Sequence, residues 1–330
     1  MIIQVLAIII TVLLIFTNGM TDAPNAIATL IGSKVMSFKK ASIISAIFNF
    51  IGIIVMSFVN ISVADCISSM VRVSSGVDGI LVLISAMLSV IIFALVAMQF
   101  GIPTSETHGL VAGLTGSAIA VYGFEGVNGK EWINVGVGLV WSILGAFLLS
   151  MIIGLISKKA LKNVKDKTVG KFQIFGMCAM SFMRGAQDGQ KFIGILVIYN
   201  FIVQGLAVPE FIAPMEHLLT IVFVAFVMFV GVCIGGEKIV ENIGSNVTNL
   251  SQKQALSSDI ATAVTLFCAS LNGLPVSTTH VKTMSIIGVG KCSKQPICKK
   301  AVVDIVKAWV LTFPVCLVLS FVLAKIFVIF

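Results

Sequence analysis

Two short polar signatures occur twice in this chain, in the same order in each half. The first is Gly-x-x-Asp inside an apolar stretch, at Gly19–Asp22 and again at Gly185–Asp188. The second is Gly-x-Pro-x-Ser-x-Thr-His, at Gly101–His108 and again at Gly273–His280. The copies lie 166 and 172 residues apart, which is about half of the 330-residue chain. Duplicated polar breaks in a hydrophobic chain indicate the substrate site of a secondary transporter.

The Gly-x-x-Asp signature has the chemistry of a cation site. The carboxylate of Asp22 is surrounded by apolar sequence, where an unpaired charge is costly. Pro24 has no backbone N–H and should free a carbonyl oxygen and break the helix. Freed carbonyls, Asp22 and Asn25 would together supply hard oxygen ligands for Na⁺. The second copy has Asp188, with Gln190 near the place of Asn25.

A purely structural interpretation of the second copy stays open. Asp188 could pair with Arg184 or Lys191, its neighbours in the sequence. Lys191 and Lys282 follow the second copies of the two signatures, and either could balance the charge of a bound anion or pair with Asp188.

The Pro-x-Ser-x-Thr-His signature has the chemistry of an anion site. A Pro near the first position of a new helix is harmless there, and Ser and Thr hydroxyls follow it. Free N–H groups at a helix N-terminus favour an anion, so two facing turns could hold a tetrahedral oxyanion. The alternative is ordinary capping by Thr104 or Ser277. The candidate anion ligands are Thr104, Ser105, Thr107, Ser277, Thr278, Thr279 and Gln190.

Glu106 and the two histidines of these turns have open roles. The counterpart of Glu106 in the second turn is the neutral Thr278. Glu106 could carry a coupling proton or bind Na⁺, or it could cap the turn and face away from the anion. His108 and His280 could orient the turns or take up protons, and their spacing does not match a zinc site.

The composition is that of an integral membrane protein. Hydrophobic residues make up 58% of the chain, charged residues 11%, and the mean hydropathy is +1.10. The net charge of +8 comes from lysines between apolar runs, which is the positive-inside pattern and not a nucleic-acid surface. The sequence has no ATPase phosphate loop and no hydrolase motif, so we predict that it is not an enzyme.

The apolar runs predict ten nominal membrane crossings. We expect the fourth, eighth and ninth, which are short or polar, to be limbs of re-entrant hairpins. The predicted crossings are 2–30, 41–60, 79–99, 102–122, 132–157, 172–201, 218–235, 258–272, 274–290 and 301–328.

The distribution of lysines predicts the orientation. Fifteen lysines fall in loops on one side, whereas the only Lys or Arg residues in the opposite loops are Arg72 and Lys130. This bias places the 158–171 linker in the cytoplasm and both termini outside the cell membrane.

Each repeat has an odd number of crossings, so the second must be inverted. The prediction is an all-α polytopic membrane protein with a 5+5 inverted repeat, made of 1–157, the linker and 172–330.

The signatures also resemble a known family. Asn18–Thr29, Gly185–Lys191 and Gly273–His280 are similar to the motifs of the PiT inorganic phosphate transporters. The resemblance implies symport of phosphate with Na⁺ or H⁺, a homodimer, and no cofactor besides the coupling ion. Some relatives carry sulfate or metal–phosphate complexes. The site residues that it implies are Asp22, Asn25, Asp188, Gln190 and the Ser and Thr residues of the two turns.

The chain departs from the family pattern at four positions. Thr21 and Gln187 stand where Asn usually precedes the motif Asp, and Arg184 stands where His is frequent. Glu106 replaces a small or hydroxyl residue. These differences bear on the coupling ion and on the anion.

The sequence as a whole predicts a secondary active transporter that imports inorganic phosphate with Na⁺ or H⁺. A sulfate transporter on the same fold and an anion channel are the alternatives. An intramembrane enzyme would need a nucleophile and a base, and only the Ser and His residues of the turns qualify.

Overall fold

The computed structural model describes residues 2–100, 104–235, 240 and 250–329. Within these ranges the secondary structure is helical apart from one isolated β-bridge. Six helical segments of the described part of the chain are long and apolar enough to cross a membrane, with Gly129–Ala160 counted as one segment, and large apolar side chains are exposed along them. The protein is therefore an all-α integral membrane protein, as predicted.

The described helices begin and end as follows, with a 3₁₀ turn at Gly123–Gly126. A π-helical segment at Trp141–Gly145 joins the helix that ends at Val140 to the one that begins at Ala146. The helices are α1 (Ile2–Gly32), α2 (Phe38–Val59), α3 (Ser62–Ser68), α4 (Val77–Gln99), α5 (Glu106–Tyr122), α6 (Gly129–Val140), α7 (Ala146–Ala160), α8 (Asp166–Gln204), α9 (Leu218–Ile234), α10 (Gln252–Leu271), α11 (Thr278–Cys292) and α12 (Lys299–Ile329).

Each predicted crossing falls on described helical segments, and the 132–157 crossing covers both α6 and α7 with the π-helical segment between them. Helix α8 begins at Asp166, six residues before the predicted start at 172. The short helix α3 was not predicted. Helix α10 begins at Gln252, six residues before the predicted start at 258. The earlier start has a local cause, since Ser251 and Gln254 form a capping box that satisfies the first N–H groups of the helix.

The ends of the bundle can be defined by contacts between helix termini. At the amino-terminal face, the Tyr199 hydroxyl donates to the Gln4 carbonyl (3.1 Å), and the hydroxyls of Ser74 and Tyr122 are 2.8 Å apart. This face therefore holds the start of α1 and the end of α8.

The opposite end, called the lysine face, holds the other termini of the same helices. The Ser33 hydroxyl donates to Gln173 (3.0 Å), which joins the end of α1 to the start of α8. Lys253 donates to the Lys162 carbonyl (3.4 Å), so the 158–171 linker and the start of α10 are also here. Helices α1 and α8, which carry the two Gly-x-x-Asp signatures, are consequently antiparallel.

Two helical hairpins approach each other from these opposite faces. The α4–α5 hairpin has its open end at the amino-terminal face, where Ser74 meets Tyr122. The α10–α11 hairpin has its open end at the lysine face, where Lys253 and Ser293 line a common cavity with Lys158. The hairpin tips touch, because the Thr107 hydroxyl donates to the Val276 carbonyl (3.0 Å).

The two halves of the sequence are interleaved. The last helix of each half packs on the hairpin of the other, so that α12 lies against α5 and α7 lies against α11. Gly116 meets the backbone of Leu317 in the first contact, and Gly288 meets that of Phe147 in the second. Glycines allow this close approach of helices.

The predicted break at the Gly-x-x-Asp signatures was wrong. Helices α1 and α8 continue through both motifs. Pro24 removes one donor, but the buried turns on either side keep the helix intact. The motif glycines serve close packing instead: a Cβ at Gly19 would lie 2.7 Å from the Met228 carbonyl oxygen, and one at Gly185 would clash with that of Asn49.

Candidate functional site

The two hairpin tips begin helices α5 and α11 in the same way. Ser105 is the N-cap of α5 and accepts from the His108 N–H (3.2 Å). Ser277 is the N-cap of α11 and accepts from the His280 N–H (3.3 Å). Each cap fixes one orphan donor and shapes the first turn of its helix.

The capping alternative therefore holds for Ser277, whereas in the first turn the cap is Ser105 and not Thr104. Pro275 precedes the Ser277 cap by two residues and is not at the first helical position. It lies in the non-helical segment 274–277 that leads into the helix. Gly101 and Pro103 of the first turn are outside the described residues.

The buried carboxylate of Asp22 is surrounded by neutral donors. Asn18 Nδ2 donates to it at 3.2 Å, Asn25 Nδ2 at 3.1 Å and the Thr279 hydroxyl at 3.2 Å. Asn25 also donates to the Thr279 hydroxyl oxygen (2.9 Å). In the part of the chain that the structure describes, no Lys or Arg forms an ion pair with Asp22.

The equivalent carboxylate of Asp188 has two cationic neighbours. Lys191 Nζ lies 2.8 Å from Asp188 Oδ1, and Arg184 Nε lies 3.5 Å from Oδ2. The Thr278 hydroxyl is 3.4 Å from the same Oδ2. All four residues are buried, so the local charge is held in a low-dielectric setting.

Lys191 links this centre to both hairpin tips. Its ammonium group donates to the Thr107 hydroxyl (2.6 Å) and to the Val276 carbonyl (2.9 Å), in addition to Asp188. The pairing of Asp188 with Lys191 is one of the alternatives that the sequence left open.

Glu106 lies between the Asp22 and Asp188 carboxylates, and one of its own carboxylate oxygens accepts no hydrogen bond from the described residues. One carboxylate oxygen accepts from the Thr21 hydroxyl. Glu106 Oε2 and Asn18 Oδ1 have no donor among the described residues. Both residues line a cavity of about 10 Å³, together with Asp188 and Lys191. This volume matches one water molecule, and a water or a monovalent cation there would satisfy both oxygens.

The signatures of both halves thus meet in one buried cluster. Thr279 from the second half bonds Asp22 of the first, and Thr107 from the first half bonds Lys191 of the second. The backbone N–H groups of Thr278 and Thr279, at the start of α11, have no partner among the described residues. The cluster consists of Asn18, Thr21, Asp22, Asn25, Glu106, Thr107, Arg184, Asp188, Lys191, Thr278 and Thr279.

Five of the predicted site residues are not members of this cluster. Ser105 and Ser277 are the helix caps, Thr104 directly precedes the first cap, and Gln190 and Lys282 have other partners. The Gln190 amide donates to the Asn60 carbonyl (2.7 Å), and Lys191 occupies the position equivalent to Asn25. Lys282 does not pair with Asp188. It pairs with the buried Asp259, which the sequence reasoning missed.

Asp259 could have been found from its position. It is a single carboxylate at the start of a predicted crossing, in the hairpin that also contains Lys282. The Thr29 hydroxyl completes the group, since it donates to Asp259 (2.7 Å) and accepts from Lys282 (3.2 Å).

The two histidines face an apolar cavity. His108 and His280 are in edge contact (ring centroids 4.6 Å apart), and His280 lies 3.8 Å from the Trp309 ring. These rings line a cavity of about 690 Å³. Over the described ranges, no group of three or more His, Cys, Asp or Glu side chains could hold a metal ion.

Residues 18–320 match the model of the phosphate transporter family. The chain belongs to this family. The resemblance to the PiT transporters is therefore confirmed, and the match spans both halves and the linker. It includes every residue of the buried cluster.

Curated phosphate transporter family relatives are similar over nearly their whole length. A probable low-affinity inorganic phosphate transporter of Rhizobium meliloti (strain 1021) is 31% identical over 92% of this chain and 90% of its own. One of Bacillus subtilis (strain 168), with the same description, is 29% identical over 96% and 94%. These relatives are described as transporters and not as enzymes.

A solved structure of another protein shares the fold. It is titled "The sodium-dependent phosphate transporter" and superimposes with a TM-score of 0.88 over 100% of both chains, at 23% identity.

Proposed function

We propose that this protein imports inorganic phosphate across the cell membrane by symport with Na⁺ or H⁺. The observation that carries the proposal is the convergence of two helix N-termini with the Asp signatures of both halves. Family membership makes phosphate the substrate to test first.

The anion would bind between the tips of the two hairpins. The N–H groups of Thr278 and Thr279 point from a helix N-terminus, where the helix dipole favours negative charge. The cationic groups of Arg184 and Lys191 are close by, and all three guanidinium nitrogens of Arg184 are without a hydrogen-bond partner among the described residues. The hydroxyls of Thr107, Thr278 and Thr279 would turn from their present partners to the anion, and Thr104 would assist from the first tip.

The carboxylates around this position favour phosphate over sulfate. A phosphate carries P–OH groups that donate hydrogen bonds, whereas sulfate at neutral pH has none. Ionised Asp22, Asp188 and Glu106 only accept. A fully ionised sulfate beside them would meet repulsion, but a protonated phosphate oxygen can donate to one of them.

The charges of the cluster call for a cation. Three carboxylates, on Asp22, Glu106 and Asp188, face two cations, on Arg184 and Lys191, so the cluster has one negative charge when all are ionised. Phosphate adds at least one more, and buried net charge is costly. Asp22, Asn25 and Glu106 would bind the compensating Na⁺ or H⁺, since they lack a cationic partner.

Transport would result from movement of the two hairpins, which approach the site from opposite faces of the bundle. The 10 Å³ cavity is too small for phosphate, so binding requires the hairpins to separate. The antiparallel α1 and α8 support two inverted repeats, 1–157 and 172–330, joined by a cytoplasmic 158–171 linker with both termini outside. A homodimer, as the family resemblance implies, would be checked by light scattering of the purified protein.

Uptake into proteoliposomes tests the proposal. Labelled phosphate should accumulate under an imposed inward Na⁺ or H⁺ gradient and should not accumulate without one. Asp22→Asn should remove the dependence on the gradient, since it removes a cation ligand. Asp304→Asn is the matched control, because Asp304 is 57% exposed and lies outside the cluster.

No accumulation under either gradient would refute the proposal. Competition by unlabelled sulfate equal to that by phosphate would favour the sulfate alternative. Phosphate-dependent current without accumulation against a gradient would favour a channel.

A further inference from the structure

Asn25 and Lys191 occupy equivalent positions in the two repeats. Each stands three residues after its motif Asp, 166 residues apart. Asn25 Nδ2 lies 3.1 Å from Asp22 Oδ1 and 2.9 Å from the Thr279 hydroxyl oxygen. The nitrogen atom of Asn25 therefore contacts the carboxylate of its own repeat and a hairpin hydroxyl of the same cluster.

Lys191 makes the same pair of contacts in the other repeat. Its Nζ lies 2.8 Å from Asp188 Oδ1 and 2.6 Å from the hydroxyl oxygen of Thr107, the residue equivalent to Thr279. A third oxygen, the Val276 carbonyl, lies at 2.9 Å. A carboxylate, a hydroxyl and a backbone carbonyl are the oxygens that bind Na⁺ in transporters. In this protein the positive charge among these three oxygens belongs to the ammonium group of Lys191.

The two side chains differ in what they allow. An amide has a carbonyl oxygen as well as an NH₂ group, so a rotation of Asn25 would offer an oxygen to a cation beside Asp22. An ammonium group has three donors and no acceptor, and the Lys191 ammonium group is bound covalently to the chain. The Asp22 carboxylate of the first repeat could therefore bind a cation from solution. The Asp188 carboxylate of the second repeat instead has the covalently attached ammonium group of Lys191 beside it.

The position four residues before each motif Asp shows the same difference. Asn18 donates a neutral hydrogen bond to Asp22, whereas its equivalent, Arg184, lies beside Asp188. The second repeat is thus positive at both flanking positions, and the first is neutral at both.

We propose that Lys191 is a tethered cation that takes the place of one coupling ion in the second repeat. This inference rests on the proposed function. Its consequence is that only the Asp22 centre of the duplicated pair takes up an exchangeable cation, so the protein uses one cation fewer per phosphate than a transporter with two amide-flanked centres.

The substitution Lys191→Asn tests this by making the second centre like the first. The number of cations per phosphate is measured in proteoliposomes from the cation gradient that just balances an opposing phosphate gradient. The cation is the one that drives wild-type uptake. We expect the ratio to rise by one in Lys191→Asn and to stay at the wild-type value in Lys191→Arg, which keeps the charge.

The reciprocal substitution Asn25→Lys should lower the ratio by one. The exchanged double variant Asn25→Lys/Lys191→Asn moves the tethered charge to the other repeat and should restore the wild-type ratio. Together these variants separate the charge at each position from the packing of the side chain.

Three results would overturn the inference. The first is an unchanged ratio in Lys191→Asn with uptake retained. The second is a Lys191→Asn protein whose lost uptake or lost thermal stability is not restored at high concentrations of the driving cation. The third is an unchanged ratio in Asn25→Lys. Failure of wild-type uptake would instead refute the proposed function, so the two outcomes are distinguishable.

Discussion

Asp22 and Asp188 occupy equivalent positions but have different neighbours. Asp22 receives hydrogen bonds from two amides and a hydroxyl, whereas Asp188 lies against the cationic Arg184 and Lys191. A buried ion pair is costly to break by removing one partner, because the other charge stays buried without compensation. Equivalent substitutions should therefore have different effects.

We expect Asp188→Asn to destabilise the protein by about 3–5 kcal/mol, since it leaves two buried cations unpaired. Asp22→Asn leaves no cation unpaired and should cost far less stability while abolishing cation coupling. Thermal unfolding of both purified variants in the same detergent measures the difference. Equal loss of stability would contradict the charge assignment of the two centres.

Lys282 and Asp259 form a second buried ion pair that has no counterpart in the first half. The sequence-equivalent positions, 172 residues earlier, hold Leu110 and Met87. The pair therefore stands where the other repeat is apolar.

Replacing either partner alone, as in Lys282→Leu or Asp259→Met, should cost about 3–5 kcal/mol. The double variant, which copies the apolar pair of the first half, should regain most of that stability. A double-mutant cycle on thermal unfolding measures the coupling. Additive losses in the double variant would show that the pair does not act as a unit.

At the residue scale, the predicted site residues came from inside or next to the two duplicated signatures. Asp22, Asp188 and the hairpin threonines were chosen because both signatures occur twice, and Glu106 was chosen because it is a carboxylate inside one of them. Asp259 has no duplicate and no motif. The pairing of Lys191, and not Lys282, with Asp188 depends on side-chain positions that spacing alone does not define.

Helix α8 shows how an element positions the site. It crosses the whole bundle, and its motif glycine is in backbone contact with α2. A helix held this closely keeps Asp188 and its cationic neighbours at the hairpin tips.

Gly185→Ala should abolish folded, active protein, because the added methyl group would clash with the carbonyl oxygen of Asn49. Overpacking of a tight contact costs about 1–3 kcal/mol or more. Gly136→Ala in α6 is the matched control, since a Cβ there would meet no atom within 4 Å apart from its chain neighbours and the backbone of its own helix. It should be neutral or stabilise by up to about 1 kcal/mol. Equal yields of folded protein on size-exclusion chromatography would contradict the packing role.

The elements themselves followed from hydropathy, and the errors came from competing interactions. Every predicted crossing corresponds to helical structure, although the crossing at 132–157 is divided into α6 and α7 by a π-helical segment. The break expected at Pro24 did not occur, because packing on both sides of the motif outweighs one missing hydrogen bond. The helix starts at Gln252 and Glu106 were set by the caps Ser251 and Ser105, which hydropathy does not reveal.

The whole molecule brings the two halves together by interleaving them. Each hairpin lies against the last helix of the other half, and the hairpin tips meet between α1 and α8. The duplication predicted that the signatures of both halves would share one pocket, and the described contacts place them in one cluster. The inverted orientation of the repeats and the sidedness of the linker remain predictions.

Linkage between phosphate and cation binding tests this arrangement most directly. Binding of labelled phosphate to the purified protein is measured by scintillation proximity while Na⁺ and pH are varied. We expect one of the two cations to raise phosphate affinity by about 5- to 150-fold, the usual range of coupling between sites. Asp22→Asn should abolish the effect, which also controls for the change in phosphate protonation with pH. Phosphate affinity that does not respond to either cation, or that responds equally in Asp22→Asn, would contradict the account.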